Sequence, residues 1–231
     1  TKTKKGGVHV LGYNIDYKSE EFKKRLFALR NIRHNYLYKV ADKISDLGYK
    51  IDVEALDKID AVTKAHIASN VVDNKENETL LKEVFGYIPS RGEYIETIMN
   101  EGCPAYVKKE TLTPKEAAQI IRQAGGKVVL AHPVAYEYED NLTEEDILNL
   151  VNEMQADGIE ANHIYINRSN NDEKINDTKK WRDFAKKNNL FTTIGSDFHY
   201  ADGIAPLIGL VSENLDLDDN YFEEFLKNLN N

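Results

Sequence analysis

The pattern of apolar and polar positions divides the chain into a strand, a long helical block, and an alternation of helices and strands. Residues 7–14 (GVHVLGYN) alternate in character, which predicts a strand. From Glu20 to Leu47 apolar residues recur every three or four positions, which predicts one long amphipathic helix, and Gly48 is a suitable residue to end it. Shorter helical stretches follow to about residue 103. We therefore predict an all-helical insertion subdomain over residues 17–110.

After this insertion the pattern changes to alternating helices and strands. Thr113 and Glu116 form a capping-box pattern with Pro114 at the first helical position, which predicts a helix start. The apolar runs KVVLAHP, GIEAN and LFTTIGSDFH predict strands, and helices are predicted from Thr143, over about 172–188 and over about 218–229. This alternation is typical of an α/β fold with a mostly parallel sheet or barrel, which we assign to residues 1–16 and 111–231.

Residues with metal-binding side chains lie at the predicted strand ends, where functional residues of such folds collect. Asp197 and His199 are spaced i, i+2 after a β-rich run, so on a strand both side chains face the same side. His9, His132 and His163 also lie in strand contexts. Any one of these histidines alone is more simply a core or surface residue. Their recurrence with a carboxylate favours a site for Zn, Mn or Fe(II).

The helical block supplies further candidates for substrate contacts. His66 could face inward toward a phosphate, although a place on the helix surface fits its pattern equally well. Arg30, Arg33 and Arg91 could present guanidinium groups to a phosphate, but charged residues on helices are usually solvated. We find no P-loop, no GxGxxG, no GxSxG and no persuasive Cys–His pair in the sequence, so nucleophilic catalysis is not indicated.

Composition excludes several classes of function. The formal charge of −9 argues against a general binder of duplex nucleic acid, which is normally basic. The single cysteine, Cys103, excludes an internal disulfide and a cysteine-based zinc site, and favours a reducing cytoplasm. No apolar run has membrane-spanning length, so no membrane association is expected.

Several segments, in their order along the chain, resemble the PHP (polymerase and histidinol phosphatase) metal-dependent phosphoesterases. They are VHVLGYNID, KAHIA, EGCPAYV, TPKEAAQIIRQAGGKVVLAHP, DGIEANH and IGSDFH. The likeness is greatest to the stand-alone branch that acts on nucleoside 3′,5′-bisphosphates, 5′-nucleotides and short RNA. The resemblance implies a distorted (β/α)7 barrel with a helical insertion over the metal centre. It also implies hydrolysis of a phosphate ester with two or three divalent ions, Mn, Zn or Fe.

The resemblance also assigns roles to individual residues. His9, His132, Asp197 and His199 match metal ligands, and the last two also belong to the catalytic motif. His163 matches a histidine near the phosphate and His66 matches the histidine of the family's insertion segment, and both are assigned to substrate binding. The Gly-Arg-Pro that precedes the second of these in the family is replaced here by 63–65 (TKA). Arg91 is a further candidate substrate contact, taken from the residues rather than from the family.

The sequence also departs from the family at its start. Family members carry a His-x-His strand, an Asp-His segment and a strand ending in a glutamate ligand before HVLGY, whereas this sequence begins at HVLGY and has no His-x-His. We therefore expect a partial barrel that binds fewer metal ions, or none, and turns over poorly. An open barrel side would favour self-association.

Three functional hypotheses follow. The leading one is a phosphoesterase acting on a nucleotide, a short oligonucleotide or another small phosphorylated metabolite, in an N-terminally incomplete form with impaired activity. The second is a non-catalytic binding module that retains a barrel remnant. The third is an amidohydrolase-like metal enzyme acting on C–N bonds.

Overall fold

The computed structural model describes residues 1, 6–59, 62–167, 170–198 and 219–230. The chain folds as two compact units. The first unit is formed by Thr1–Phe22 together with Thr111–Asn231, and the second by Lys23–Glu110. Among the described helices, none combines the length and the apolar character needed to cross a membrane.

The first unit contains a four-stranded sheet and a two-stranded hairpin. The strands are β1 (Val10–Tyr13), β2 (Lys127–Leu130), β3 (Gly158–Asn162), β4 (Tyr165–Asn167), β5 (Glu173–Ile175) and β6 (Phe191–Ile194). The sheet has the order β1-β2-β3-β6, and β4 pairs with β5. Strand β2 is parallel to β3, and β3 is parallel to β6, whereas β1 runs antiparallel to β2. The prediction of a mostly parallel α/β sheet is thus confirmed, with one antiparallel strand.

Helices connect the strands of the first unit and make up the second. In chain order they are α1 (Glu20–Asp46), α2 (Val53–Asp57), α3 (Lys64–Val72), α4 (Glu78–Phe85), α5 (Arg91–Tyr94), α6 (Pro114–Gln123), α7 (Pro133–Asp140), α8 (Glu144–Met154), α9 (Thr178–Lys187) and α10 (Asp219–Asn230). A 3-10 turn precedes α4 (Lys75–Asn77), and a π-helical turn follows α5 (Ile95–Met99).

Three local predictions are wrong. The first strand begins at Val10, so His9 precedes it instead of lying within it. The strand predicted over KVVLAHP ends at Leu130, and Pro133 opens α7, because a proline at the first helical position loses no helical hydrogen bond. The helix predicted over about 172–188 begins only at Thr178, since Glu173–Ile175 pairs with β4 as a hairpin strand.

The core of the first unit lies between the sheet and its helices. Helix α6 begins as predicted, with the Thr113 hydroxyl accepting the Glu116 N–H and the Glu116 carboxylate accepting the Thr113 N–H. Its apolar face packs with strands β1 and β2 and helix α8. Fully buried side chains of this core are Val8, Val128, Leu130, Ile147 and Ile159. Removing this much apolar surface from water is the main force that holds the sheet edge in place.

The second unit has a separate core. The second half of α1 buries one stripe of side chains at helical spacing: Tyr36, Leu37, Val40, Ala41 and Ile44. This stripe packs with residues of the short helices that follow, among them Ile67, Val71, Leu81, Tyr94 and Met99. Gly48 comes just after α1 and has φ at +92°. Glycine adopts this backbone conformation without the steric cost that a side chain would impose.

Candidate metal centre

Four chemistry-bearing residues meet at one edge of the sheet. His132, His163 and Asp197 follow the carboxyl ends of β2, β3 and β6. His9 immediately precedes β1, and because β1 is antiparallel to β2 its amino end lies at the same edge. The Ala131 N–H donates to the His9 carbonyl at 3.2 Å, which continues the ladder to the site itself.

His9, His132 and Asp197 form a group whose ligand atoms all lie within 4.8 Å of one another. Nδ1 of His9 and Nε2 of His132 are 3.1 Å apart, and the two rings meet edge to face. Two imidazole nitrogens on one tetrahedral zinc ion, each about 2.1 Å from the metal, would be separated by about 3.4 Å. Two imidazoles and a carboxylate at this spacing therefore fit a single divalent ion. His9 and Asp197 are exposed, so a substrate can approach from their side.

A second group shares His132 and lies behind the first. Glu160 and His163 are only 6% and 4% exposed, and with His132 they form another cluster with ligand atoms within 4.8 Å. Oε2 of Glu160 lies 3.2 Å from Nδ1 of His132 and accepts the His132 backbone N–H at 3.1 Å. Nδ1 of His163 lies 2.9 Å from the Gly195 carbonyl, to which it donates.

The buried groups have shifted pKa values. Burial tends to raise the pKa of Glu160, but the hydrogen bonds and charge of His132, with a smaller contribution from His163, outweigh burial and lower it. Burial is also the largest effect on His163, and it lowers the pKa of that imidazole despite the bond to Gly195. The metal-free site therefore favours a carboxylate at Glu160 and a neutral ring at His163.

Two of the converging residues have unusual backbone conformations. His132 has φ at +21° and Asp197 has φ at +51°, a region that residues with a side chain rarely adopt. Strain of this kind persists only where the surrounding structure imposes it, and it is concentrated at functional sites. Positive φ also occurs at Asn14, Asn141 and Gln155, outside the site, so the conformation alone does not mark function.

Sequence reasoning missed Glu160 and Tyr136 as members of the site. The Tyr136 hydroxyl accepts the His9 N–H at 2.8 Å and so fixes the start of β1; burial is the main cause that raises its pKa. The signal for Glu160 was present, since an acidic residue stands in the middle of the otherwise apolar run GIEAN. No local pattern marks Tyr136, because its partner is 127 residues away.

The remaining predicted site residues are placed elsewhere or not described. His199 lies outside the described residues. His66 belongs to the second unit, where its Nδ1 accepts the Thr63 N–H at 3.2 Å and caps α3. It also lines a cavity of about 490 Å³ with Asp73 and other polar residues. The Arg91 guanidinium lies 3.6 Å from the Asp73 carboxylate, and both side chains are exposed.

Comparison with known proteins identifies relatives of this chain. No family model matches it. A 5′-3′ exoribonuclease of Haemophilus influenzae is 25% identical over 216 residues, covering 93% of this chain and 70% of the relative. A 3′,5′-nucleoside bisphosphate phosphatase of Chromobacterium violaceum is 24% identical over 196 residues, covering 83% of this chain and 62% of the relative. The chain thus spans about two thirds of the length of these relatives.

Two solved structures share the fold. One, assigned as a metal-dependent phosphoesterase from Bifidobacterium adolescentis, has a TM-score of 0.59 at 20% identity and covers 96% of this chain and 71% of its own. The other is named an amidohydrolase from Chromobacterium violaceum, with bound sulfate and no metal. It has a TM-score of 0.57 at 21% identity and covers 87% of this chain and 65% of its own.

The predicted relationship to phosphoric ester hydrolases is confirmed by the names of these relatives. These names, with the cluster of imidazoles and carboxylates, agree with the resemblance to the PHP-type metal-dependent phosphoesterases that the sequence motifs indicate.

Proposed function

We propose that the protein is a metal-dependent phosphoesterase whose substrate is a nucleotide or a short oligonucleotide. The observation that carries this proposal is the convergence of the ligand atoms of His9, His132 and Asp197 within 4.8 Å of one another at the strand ends. We assign these three residues as protein ligands of one divalent ion, with His199 as a fourth ligand. Mn, Zn and Fe(II) all suit this set of donors.

Such an ion, when bound, would supply Lewis-acid stabilisation of charge on the phosphoryl oxygens and lower the pKa of water. The chain's own residues hold the proposed metal ligands in position. Tyr136 holds the His9 backbone, and the buried Glu160 holds the backbone of His132. His163 lies directly behind His132, with ring centroids 5.3 Å apart, and we assign it to the wall of the substrate site.

The substrate class comes from the two relatives, which are named for acting on RNA and on nucleoside bisphosphates. Both substrates are phosphate esters of nucleosides, and we extend this chemistry to the present chain. The three assigned ligands among the described residues account for one ion, whereas the family resemblance implies two or three. We therefore propose that this chain retains a partial barrel and hydrolyses its substrate slowly.

The experiment compares substrates and metals on the full chain. An adenosine 3′,5′-bisphosphate, a 5′-phosphorylated trinucleotide and p-nitrophenyl phosphate are each incubated with Mn²⁺, Zn²⁺ or Fe²⁺ and with a chelator. Phosphate release with a metal, its loss with the chelator, and its loss in Asp197→Asn support the proposal. Release that survives both the chelator and the substitution contradicts it.

A second candidate function is hydrolysis of an amide, because one structural neighbour is named an amidohydrolase. The same metal ligands could serve either reaction. A panel of cyclic and linear amides, assayed in parallel with the phosphate esters, distinguishes the two. Activity on amides alone would replace the phosphoesterase assignment, and metal-independent ligand binding without turnover would favour the non-catalytic module.

A further inference from the structure

The His132 ring belongs to both groups of candidate metal ligands, the one with His9 and Asp197 and the one with Glu160 and His163. Its Nε2 lies 3.1 Å from His9 Nδ1, and its Nδ1 lies 3.2 Å from Glu160 Oε2. A neutral imidazole has one N–H and one lone pair, so it can offer only one of these two nitrogens to a metal. The two groups are therefore alternative uses of one ring, unless the ring loses both protons.

The hydrogen bonds of Glu160 distinguish between these uses. Its Oε2 accepts the His132 backbone N–H at 3.1 Å, and a backbone amide can only donate. The same oxygen faces the ring nitrogen Nδ1, which consequently carries the proton and donates to it. The lone pair of the ring is then on Nε2, toward His9.

Burial and packing point in the same direction. Glu160 is 6% exposed, whereas His9 and Asp197 are exposed, so among the described residues the Nε2 side of the ring faces the exposed ligand group. A Cβ on Gly195 would clash with the Glu160 carboxylate, so the absence of a side chain there makes room for this carboxylate. A ligating histidine whose second nitrogen donates to a carboxylate is a recurrent arrangement at metal sites, since it fixes the tautomer and ring orientation.

We propose that Glu160 is a positioning residue, which holds the His132 ring with Nδ1 protonated and presents Nε2 to the metal. The inference rests on the proposed metal site of His9, His132 and Asp197, but it makes a separate statement about the metal-free protein. Glu160 itself does not bind the ion. The second group is thus the support of the first and not a second metal site.

The test measures both the tautomer and the metal affinity. Nitrogen-15 NMR of metal-free protein, with the His132 signals assigned from a His132→Asn variant, is expected to show protonated Nδ1 and bare Nε2. In Glu160→Ala the ring should lose this single tautomer, and the affinity for Mn²⁺ or Zn²⁺, measured by calorimetry, should fall about 10- to 100-fold without a change in stoichiometry. Glu160→Gln can still accept from Nδ1 and should retain more of the affinity, which covers the case in which the alanine variant does not fold.

A matched control is Glu145→Gln, which neutralises an exposed glutamate on α8. It should leave the tautomer and the affinity unchanged. Loss of a whole equivalent of metal in the Glu160 variants, with the remaining site unaffected, would make Glu160 a ligand and overturn the proposal. An unchanged tautomer in both variants would also overturn it. If the wild-type protein shows the expected tautomer but binds no metal, the proposed function fails and the positioning role stands.

Discussion

Nδ1 of His9 and Nε2 of His132 lie 3.1 Å apart, although 123 residues separate the two histidines along the chain. The antiparallel pairing of β1 with β2 produces this contact, because Val10 is the register partner of Leu130. Both rings therefore approach one position from neighbouring strands, and their effects on metal binding should be coupled.

Replacement of either ring should weaken metal binding strongly. We expect His9→Ala and His132→Ala each to lower the affinity for Zn²⁺ or Mn²⁺ by more than about 100-fold, beyond what loss of an outer partner costs. The double variant should lose less than the sum of the two free energies, because the residues share one ion. Calorimetric titration measures this, with His34→Ala of the second unit as the control. Strict additivity would mean that the rings bind different ions.

Alanine at Gly195 should disturb the site through Glu160. The added methyl group overlaps the buried carboxylate, so either the carboxylate or the loop must move. Overpacking of this kind costs about 1–3 kcal/mol of unfolding free energy, and we also expect weaker metal binding. Urea denaturation and metal titration measure the two effects. Gly92→Ala is a suitable control, because a Cβ there meets only ordinary contacts. If the two variants have the same unfolding free energy and the same metal affinity, the Glu160 carboxylate can move away from the added methyl group without cost.

Phenylalanine at Tyr136 should destabilise the start of β1. The variant removes the acceptor of the His9 N–H, bonded at 2.8 Å, and leaves that donor without its protein partner. The expected loss is about 1–3 kcal/mol of unfolding free energy, together with lower metal affinity. Chemical denaturation monitored by circular dichroism tests it. Tyr138→Phe changes an exposed tyrosine of the same helix and should have little effect. Wild-type stability and affinity in Tyr136→Phe would contradict this role of the hydroxyl.

The metal-free protein should lose stability as the pH falls below about 6.5, the ordinary pKa of histidine. Burial lowers the pKa of His163, so the unfolded chain takes up this proton at a higher pH than the folded chain does. Between the two pKa values the unfolded state binds more protons, and the free energy of unfolding therefore decreases with decreasing pH. Urea denaturation at several pH values in the presence of a chelator measures the slope. His163→Gln should flatten it; an unchanged slope would assign the effect to other groups.

The sequence predicted the elements whose cause is local. Thr113 and Glu116 predict the start of α6, because a capping box involves only residues within one helical turn. Strand β3 covers GIEAN at its predicted bounds, since a short buried strand is recognisable from its apolar residues even where Glu160 and Asn162 interrupt them. The hairpin of β4 and β5 was missed because Glu173–Ile175 has no apolar run of its own and gains its conformation from pairing.

The site was predictable in part for the same reason. His132, His163 and Asp197 could be found because they follow recognisable strands. Glu160 was not singled out, because its significance depends on the ring that faces it from β2. The direction of β1, which decides that His9 lies at the same edge, follows from long-range pairing and has no local signature.

The antiparallel direction of β1 also makes metal binding dependent on the completion of the fold. His9 reaches the site only when β1 is paired with β2, whereas the other ligands are connected through the helices of the same unit. Any population of molecules in which β1 has detached lacks a ligand, and the apparent dissociation constant rises in inverse proportion to the paired fraction. Metal in turn favours the paired state by mass action. A bound ion would therefore stabilise the pairing of β1 with β2. The measured metal affinity would in turn depend on the free energy of that pairing.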